Sequence, residues 1–190
     1  MNYYDENARE FFDGTVNANM TPHHMEFLKL MPENGHILDA GCGSGRDAKK
    51  FMSLNYKVTA IDESAEMCRL ASEYMGMPVK HKRFQEIDCL NEFDGIWASA
   101  SLLHVPSDEI GDVLNRLKNS LMENGILYAS FKYGDFEGMR NGRFFNDFTE
   151  KTATELFEKN GFEVLKTWIT SDSRKGREDE KWVNILVSKQ

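Results

Sequence analysis

Apolar residues change their spacing along this chain in a way that divides it into elements. Over the first thirty-odd residues they recur at helical intervals, as with Phe11 and Phe12 and then Met25, Leu28 and Met31. Thr21 followed by Pro22 has the order of an N-cap and a first helical residue. From residue 36 onward, short apolar or β-branched runs alternate with amphipathic stretches. Strands are predicted at 36–40, 57–61, 79–84, 95–98 and 126–131, the third being the most polar and so suited to a sheet edge. Helices are predicted at 46–54, at 65–75 with Ser64 as cap, and at 109–121 with Ile110, Val113, Leu114 and Leu117 on one face. A last helix at 151–159 closes on Asn160-Gly161, and two strands, 163–170 and 182–188, follow with no helix between them.

Strand–helix alternation implies a parallel sheet covered on both faces, a doubly wound α/β fold, and the final pair reads as an antiparallel hairpin at its end. No repeat or Pro/Ser-rich linker interrupts the pattern, so residues 1–190 are expected to form one domain, with 1–35 as a helical cap or lid and 36–190 as the core. Composition narrows the partners. With 23 basic against 31 acidic residues the net charge is -8, which disfavours nucleic acid. Cys42, Cys68 and Cys89 have neither zinc-site spacing nor a disulfide framework, so no metal is expected and a reducing cytoplasm is the simplest compartment. No signal-peptide h-region opens the chain, and no apolar run is long enough for a membrane span.

The most informative motif is Asp39-Ala40-Gly41-Cys42-Gly43-Ser44-Gly45-Arg46, which follows a strand and opens a helix. Glycines there allow a tight turn and close backbone approach to a ligand, and the helix start favours an acceptor-rich group. About twenty residues on, the second strand ends at Asp62, placed to accept hydrogen bonds from the two hydroxyls of a ribose. Arg46 stands where the dinucleotide fingerprint needs a small residue, so NAD fits poorly, and no phosphate-binding P-loop sequence occurs.

Taken together, the glycine loop, Asp62, the run Phe93-Asp94-Gly95-Ile96-Trp97-Ala98, the segment Leu121 to Gly125 and the terminal hairpin resemble the class I S-adenosylmethionine (SAM)-dependent methyltransferases over residues 36–190. Tyr3-Tyr4 and the run from Ala98 to Val105 are similar to a small bacterial subgroup akin to the tellurite-resistance type. The resemblance implies a Rossmann-like sheet of seven strands with the last inserted antiparallel, and SAM as cofactor with S-adenosylhomocysteine as product. It implies that Gly41 and Gly43 hold the methionine part, that Asp62 holds the ribose, and that Gln85, Glu86 and Ile87 border the adenine. An Asp often stands at that last place, and Gln85-Glu86 departs from it. Tyr4, Asp39, Cys42, Arg46, Glu63, Met67, Ala98 and Ser99 complete the implied cofactor set, with the Tyr4 segment folding over SAM.

The sulfonium makes the methyl an electrophile, so positioning and water exclusion are the main tasks, and a base is needed only for an acceptor with a proton of high pKa. His104, just past the fourth strand, is the candidate base, or else a structural loop histidine. The motif [DN]-P-P-[YF] of adenine and glutamine amino-methylating enzymes is replaced by Ser99-Ala100-Ser101-Leu102. Arg140 and Arg143 after the fifth strand, and Arg174 and Arg177 after the sixth, should face one cleft. They are expected either to converge on a small anionic acceptor or to pair with Glu178, Asp179 and Glu180. The leading function is methyl transfer to a small, anionic or soft acceptor. A SAM-binding protein without methyl transfer and, with less support, an NAD-dependent oxidoreductase are the alternatives.

Overall fold

The computed structural model describes residues 3–174 and 176–190 of the protein. Three short helices, α1 (Tyr3–Glu6), α2 (Ala8–Thr15) and α3 (Thr21–Leu28), precede the sheet. Strand and helix then alternate through β1 (His36–Ala40), α4 (Arg46–Ser53), β2 (Lys57–Asp62), α5 (Ala65–Met75), β3 (Lys80–His81), β4 (Phe93–Ala98), α6 (Ile110–Ser120) and β5 (Leu121–Lys132). A small hairpin, β6 (Glu137–Arg140) and β7 (Arg143–Asn146), leads to α7 (Glu150–Lys159), β8 (Phe162–Ser171) and β9 (Lys181–Lys189). The seven-stranded sheet has the order β3-β2-β1-β4-β5-β9-β8. β9 lies between β5 and β8, antiparallel to both, while β1, β2, β3, β4 and β5 pair in parallel.

Strand alternation explains which face each helix covers. Leu38, Ala40, Ile96, Ala98, Leu127, Ala129, Val183 and Ile185 pack with Val113, Leu117, Ala153 and Phe157 of α6 and α7. The intervening residues Ile37, Trp97, Tyr128 and Leu186 turn to the other face and meet Phe27 and Met31 at α3 and Phe51 of α4. Trp97 and Tyr128 stack there, with ring centroids 4.0 Å apart.

Beside that stack lies a buried carboxylate. Asp47 on α4 is 5% exposed and accepts four hydrogen bonds. His24 Nε2 (2.9 Å) and Arg46 Nε (2.8 Å) meet Oδ1, while Arg46 Nη2 (2.7 Å) and Trp97 Nε1 (2.9 Å) meet Oδ2. Burial alone would raise the acid's pKa, but Arg46 and His24 hold it well below the ordinary carboxylate range. Arg46 Nη1 also donates to the Thr15 carbonyl at the end of α2 (3.2 Å), so one acid ties α3, α4 and β4 together and reaches the N-terminal segment through its arginine.

Several sequence expectations need correction. The strand expected at 79–84 shrinks to Lys80–His81, both exposed, because the chain turns into a 3₁₀ segment at Phe84–Glu86. Thr21 lies inside α3, not at its cap; Met20 caps the helix, and Asn19 Oδ1 accepts from Thr21 N–H. The fifth strand begins earlier, at Leu121, and the stretch 137–146, for which no element is predicted above, forms a hairpin. Ser64 does cap α5, accepting from Met67 N–H.

Asp47→Ala should lower stability in urea by about 3–5 kcal/mol, the scale of leaving a buried cationic partner uncompensated. A loss below about 1 kcal/mol would mean that the acid's four donors find other acceptors.

Candidate active site

β1 ends in the glycine loop, where Gly41 (φ +78°), Gly43 (φ +52°) and Gly45 (φ +75°) adopt left-handed conformations. Gly41 also has no room for a side chain, since a Cβ would sit 2.5 Å from Ser101 Cβ. Gly41 and Cys42 donate their N–H groups to the Ile61 carbonyl (3.0 and 2.9 Å), which ties the loop to the end of β2. At that end Asp62 accepts from Gly43 N–H through Oδ2 and from Ser64 N–H through Oδ1, each at 2.9 Å. Each carboxylate oxygen keeps a second lone pair, which is what a vicinal diol requires. Burial raises this acid's pKa while the two backbone N–H bonds oppose the rise.

A cavity opens above this loop. Of the residues expected to bind cofactor, Tyr4, Asp39, Gly41, Cys42, Gly43, Arg46, Asp62, Glu63, Met67 and Ser99 line it. Gln85, Glu86, Ile87 and Ala98 do not. The 3₁₀ turn points Gln85 to Glu109 Oε2 (2.8 Å) and Glu86 back to Arg83 N–H (2.7 Å), while Ile87 and Ala98 are buried in the core. Lys82, Arg83 and Phe84 occupy that border instead. Burial and the nearby Asp47 charge push Asp39 well above the carboxylate range, although Ala48 N–H donates to it at 3.0 Å. Burial likewise raises the Cys42 thiol, which argues against a nucleophile.

The sequence reading missed the sheet wall of the cavity: Tyr128, Ser130 and Lys132 on β5, with Trp182 and Asn184 on β9. Their i, i+2, i+4 spacing was the available signal, a polar stripe on strands otherwise apolar. Tyr128 donates to Asn184 Oδ1 at 2.7 Å. From the N-terminal segment Phe11, Thr15, Met20 and His23 also face the cavity.

His104 ends a 3₁₀ turn at Leu102–His104 and lines the cavity. Its Nδ1 is 2.6 Å from the Phe144 carbonyl, which can only accept, so Nδ1 carries the proton. Nε2 is then the acceptor for the Tyr4 hydroxyl at 2.7 Å. Burial, helped by the Arg143 charge and opposed by the Phe144 carbonyl, lowers the imidazole pKa to about 4. The sequence leaves His104 as either a base or a structural loop histidine; in the structure its one lone pair is covered by the Tyr4 hydroxyl.

The four arginines do not converge. Arg140 lies outside the cavity lining because Asp147 Oδ2 claims it at 2.7 Å and the Phe136 ring lies beneath it. Arg143, Arg174 and Arg177 do line the cavity. Asp172 holds Arg174 through two oxygens, and Glu180 holds Arg177. Arg143 stacks on Tyr3 and Phe145, with 4.9 and 5.1 Å from guanidinium carbon to ring centroid, and its buried Nε has no hydrogen-bond partner.

Residues 37–125 match the methyltransferase domain family. An uncharacterized methyltransferase of Staphylococcus carnosus is 27% identical over 161 residues, covering 77% of this chain and 78% of that protein. These matches and the fold support a class I SAM-dependent methyltransferase. A ubiquinone biosynthesis O-methyltransferase of Xanthomonas axonopodis is 32% identical over 121 residues, covering 58% of this methyltransferase and 49% of that protein. In fold, the crystal structure of the Burkholderia thailandensis 1,6-didemethyltoxoflavin-N1-methyltransferase, with bound 1,6-didemethyltoxoflavin and S-adenosylhomocysteine, aligns with a TM-score of 0.79. It is 22% identical, with 98% of this chain and 84% of that chain covered. The glycine cradle and the spare lone pairs of Asp62 suit SAM, which when bound supplies the electrophilic methyl group.

Asp62→Ala should weaken S-adenosylhomocysteine binding by about 1.5–3 kcal/mol, read by calorimetry. The depressed His104 pKa has a sign that can be checked. Its neutral form is favoured by the fold, so stability is full above the ordinary value of 6.5 and falls as pH drops toward about 4. Denaturation at pH 7 and pH 4 should show His104→Gln losing up to about 3 kcal/mol less than wild type across that interval.

Proposed function

We propose that this methyltransferase transfers a methyl group to a small anionic acceptor, bound through Arg143 with the N-terminal helices as a lid. The observation that carries the reading is Arg143 itself: it faces the cavity, stacks on aromatic rings rather than on a carboxylate, and has an unpartnered buried Nε. A guanidinium held flat in this way presents its fork to a carboxylate or phosphate at little entropic cost. The sulfonium charge of SAM adds attraction for the same anion.

The remaining groups fit that reading. Tyr4 connects the first helix to His104, and Ser64 Oγ donates to Asp5 Oδ1 at 2.7 Å, so the helix is fastened at both sides of the cavity mouth. Such closure would exclude water from the sulfonium. The Burkholderia neighbour, whose bound substrate is a small heterocycle, supports a small-molecule acceptor. The net charge of -8 and the cysteine pattern support an acceptor other than nucleic acid and a cytoplasmic setting.

Incubating the enzyme with methyl-labelled SAM and a fractionated metabolite pool should place the label in an acidic fraction. With the acceptor in hand, Arg143→Lys should raise its KM about tenfold and that of SAM less than about twofold, because Lys keeps the charge and loses the fork. Label found only in products whose unmethylated acceptor carries no anionic group would end the anionic-acceptor reading.

A further inference from the structure

A second group of charges borders the cavity away from the glycine loop, where β5 and β8 end and β9 begins. Lys132, 8% exposed, brings its ammonium to Glu180 and to within 3.5 Å of Asp172 Oδ2, with the Trp182 ring 4.2 Å away. Arg174 and Arg177 add two more cations, so three positive groups share two carboxylates. The cluster has a surplus of positive charge where it meets the cavity.

The two carboxylates are not equivalent. Asp172 has a side chain 3% exposed and accepts from Arg174 N–H (2.9 Å), Arg174 Nε (2.9 Å), Arg174 Nη2 (2.6 Å) and Trp182 Nε1 (3.1 Å), so it is part of the wall. Glu180 has a side chain 37% exposed and touches two cations, Lys132 and Arg177, both of which line the cavity. Its backbone is fixed independently: Asp172 N–H donates to its carbonyl (2.8 Å) and its own N–H donates to the Arg177 carbonyl (3.0 Å). The side chain can therefore leave without disturbing the turn.

We infer that Lys132 and Arg177 form an oxyanion subsite for the acceptor, and that the Glu180 carboxylate fills this subsite in the free enzyme and is displaced by a carboxylate or phosphate group of the ligand. The exchange swaps one oxyanion for another on the same pair of cations, so the buried ammonium of Lys132 is never left unpaired. The inference rests on the anionic-acceptor reading above and adds a second attachment point, which selects acceptors able to reach from Arg143 to Lys132.

The test is titration of inorganic phosphate into the full-length protein saturated with S-adenosylhomocysteine, followed by NMR. Removing the internal competitor in Glu180→Gln should tighten phosphate binding about tenfold. Glu178→Gln deletes the same charge in the same turn, where Glu178 accepts from Gly176 N–H, and should change affinity less than about twofold. Adding Lys132→Gln to Glu180→Gln should return affinity to the wild-type level or below. An equal gain in the Glu180 and Glu178 variants, or none in either, would overturn the inference. If Arg143→Met abolishes phosphate binding while Glu180→Gln changes nothing, the Arg143 reading stands and this one falls. A gain in Glu180→Gln that persists in Arg143→Met supports the subsite and removes Arg143 from anion binding.

Discussion

One buried carboxylate, Asp47, fixes how the two halves of the cavity sit relative to each other. A charged group inside a protein is tolerated only when its lone pairs are filled, and here the four donors come from α3, α4 and β4. The acid therefore works as a locating pin: helix α3 cannot slide without unpairing His24, and α4 cannot rotate without releasing Trp97. Because Arg46 both holds Asp47 and reaches the Thr15 carbonyl, the position of the N-terminal segment over the cavity is coupled to the helix that follows the glycine loop. The helix that follows the glycine loop and the N-terminal segment share one anchor.

On that frame the chemistry divides by strand. The ends of β1 and β2 supply a glycine turn and a carboxylate, with backbone N–H groups spent on internal bonds that leave the acid's outer lone pairs free. The ends of β5, β8 and β9 supply cations, hydroxyls and an amide. His104 lines the same cavity, but its basicity is low and its Nε2 is engaged by Tyr4. Its direct effect is to hold the Tyr4 ring in place. A methyl donor as reactive as a sulfonium needs orientation more than it needs a strong base.

Much of this was legible in the residues, and the exceptions have physical reasons. The glycine loop and Asp62 could be read because the turn demands glycine and because the acid's spacing follows from the strand–helix–strand length. The antiparallel terminal pair could be read from two strand patterns with no helix between them, whereas the insertion of the last strand beside β5 came only from the family resemblance. What failed was what depends on side-chain direction. Gln85 and Glu86 lie at the expected place in the chain, yet a 3₁₀ turn rotates them outward and Phe84 inward. Arg140 and Arg143 are three residues apart on one hairpin, and the Asp147 carboxylate with the Phe136 ring draws the first out of the cavity lining while the second stays. The wall of Tyr128, Ser130 and Lys132 was hidden because the surrounding strand is apolar enough to be read as core throughout.

The place of β9 has a consequence for how the enzyme comes into being. It is made after β8 but lies inside it, between β8 and β5, so the sheet cannot be zipped in the order in which it is synthesised. Until β9 arrives, β5 presents an unpaired edge on which β8 could dock wrongly, and the stripe of Trp182 and Asn184 does not exist. A nascent chain would thus be able to assemble the glycine loop and Asp62, at the ends of β1 and β2, well before the β5–β9 wall of the cavity exists. Such pairing over long sequence distance slows folding and leaves a waiting interval in which the edge of β5 stands open.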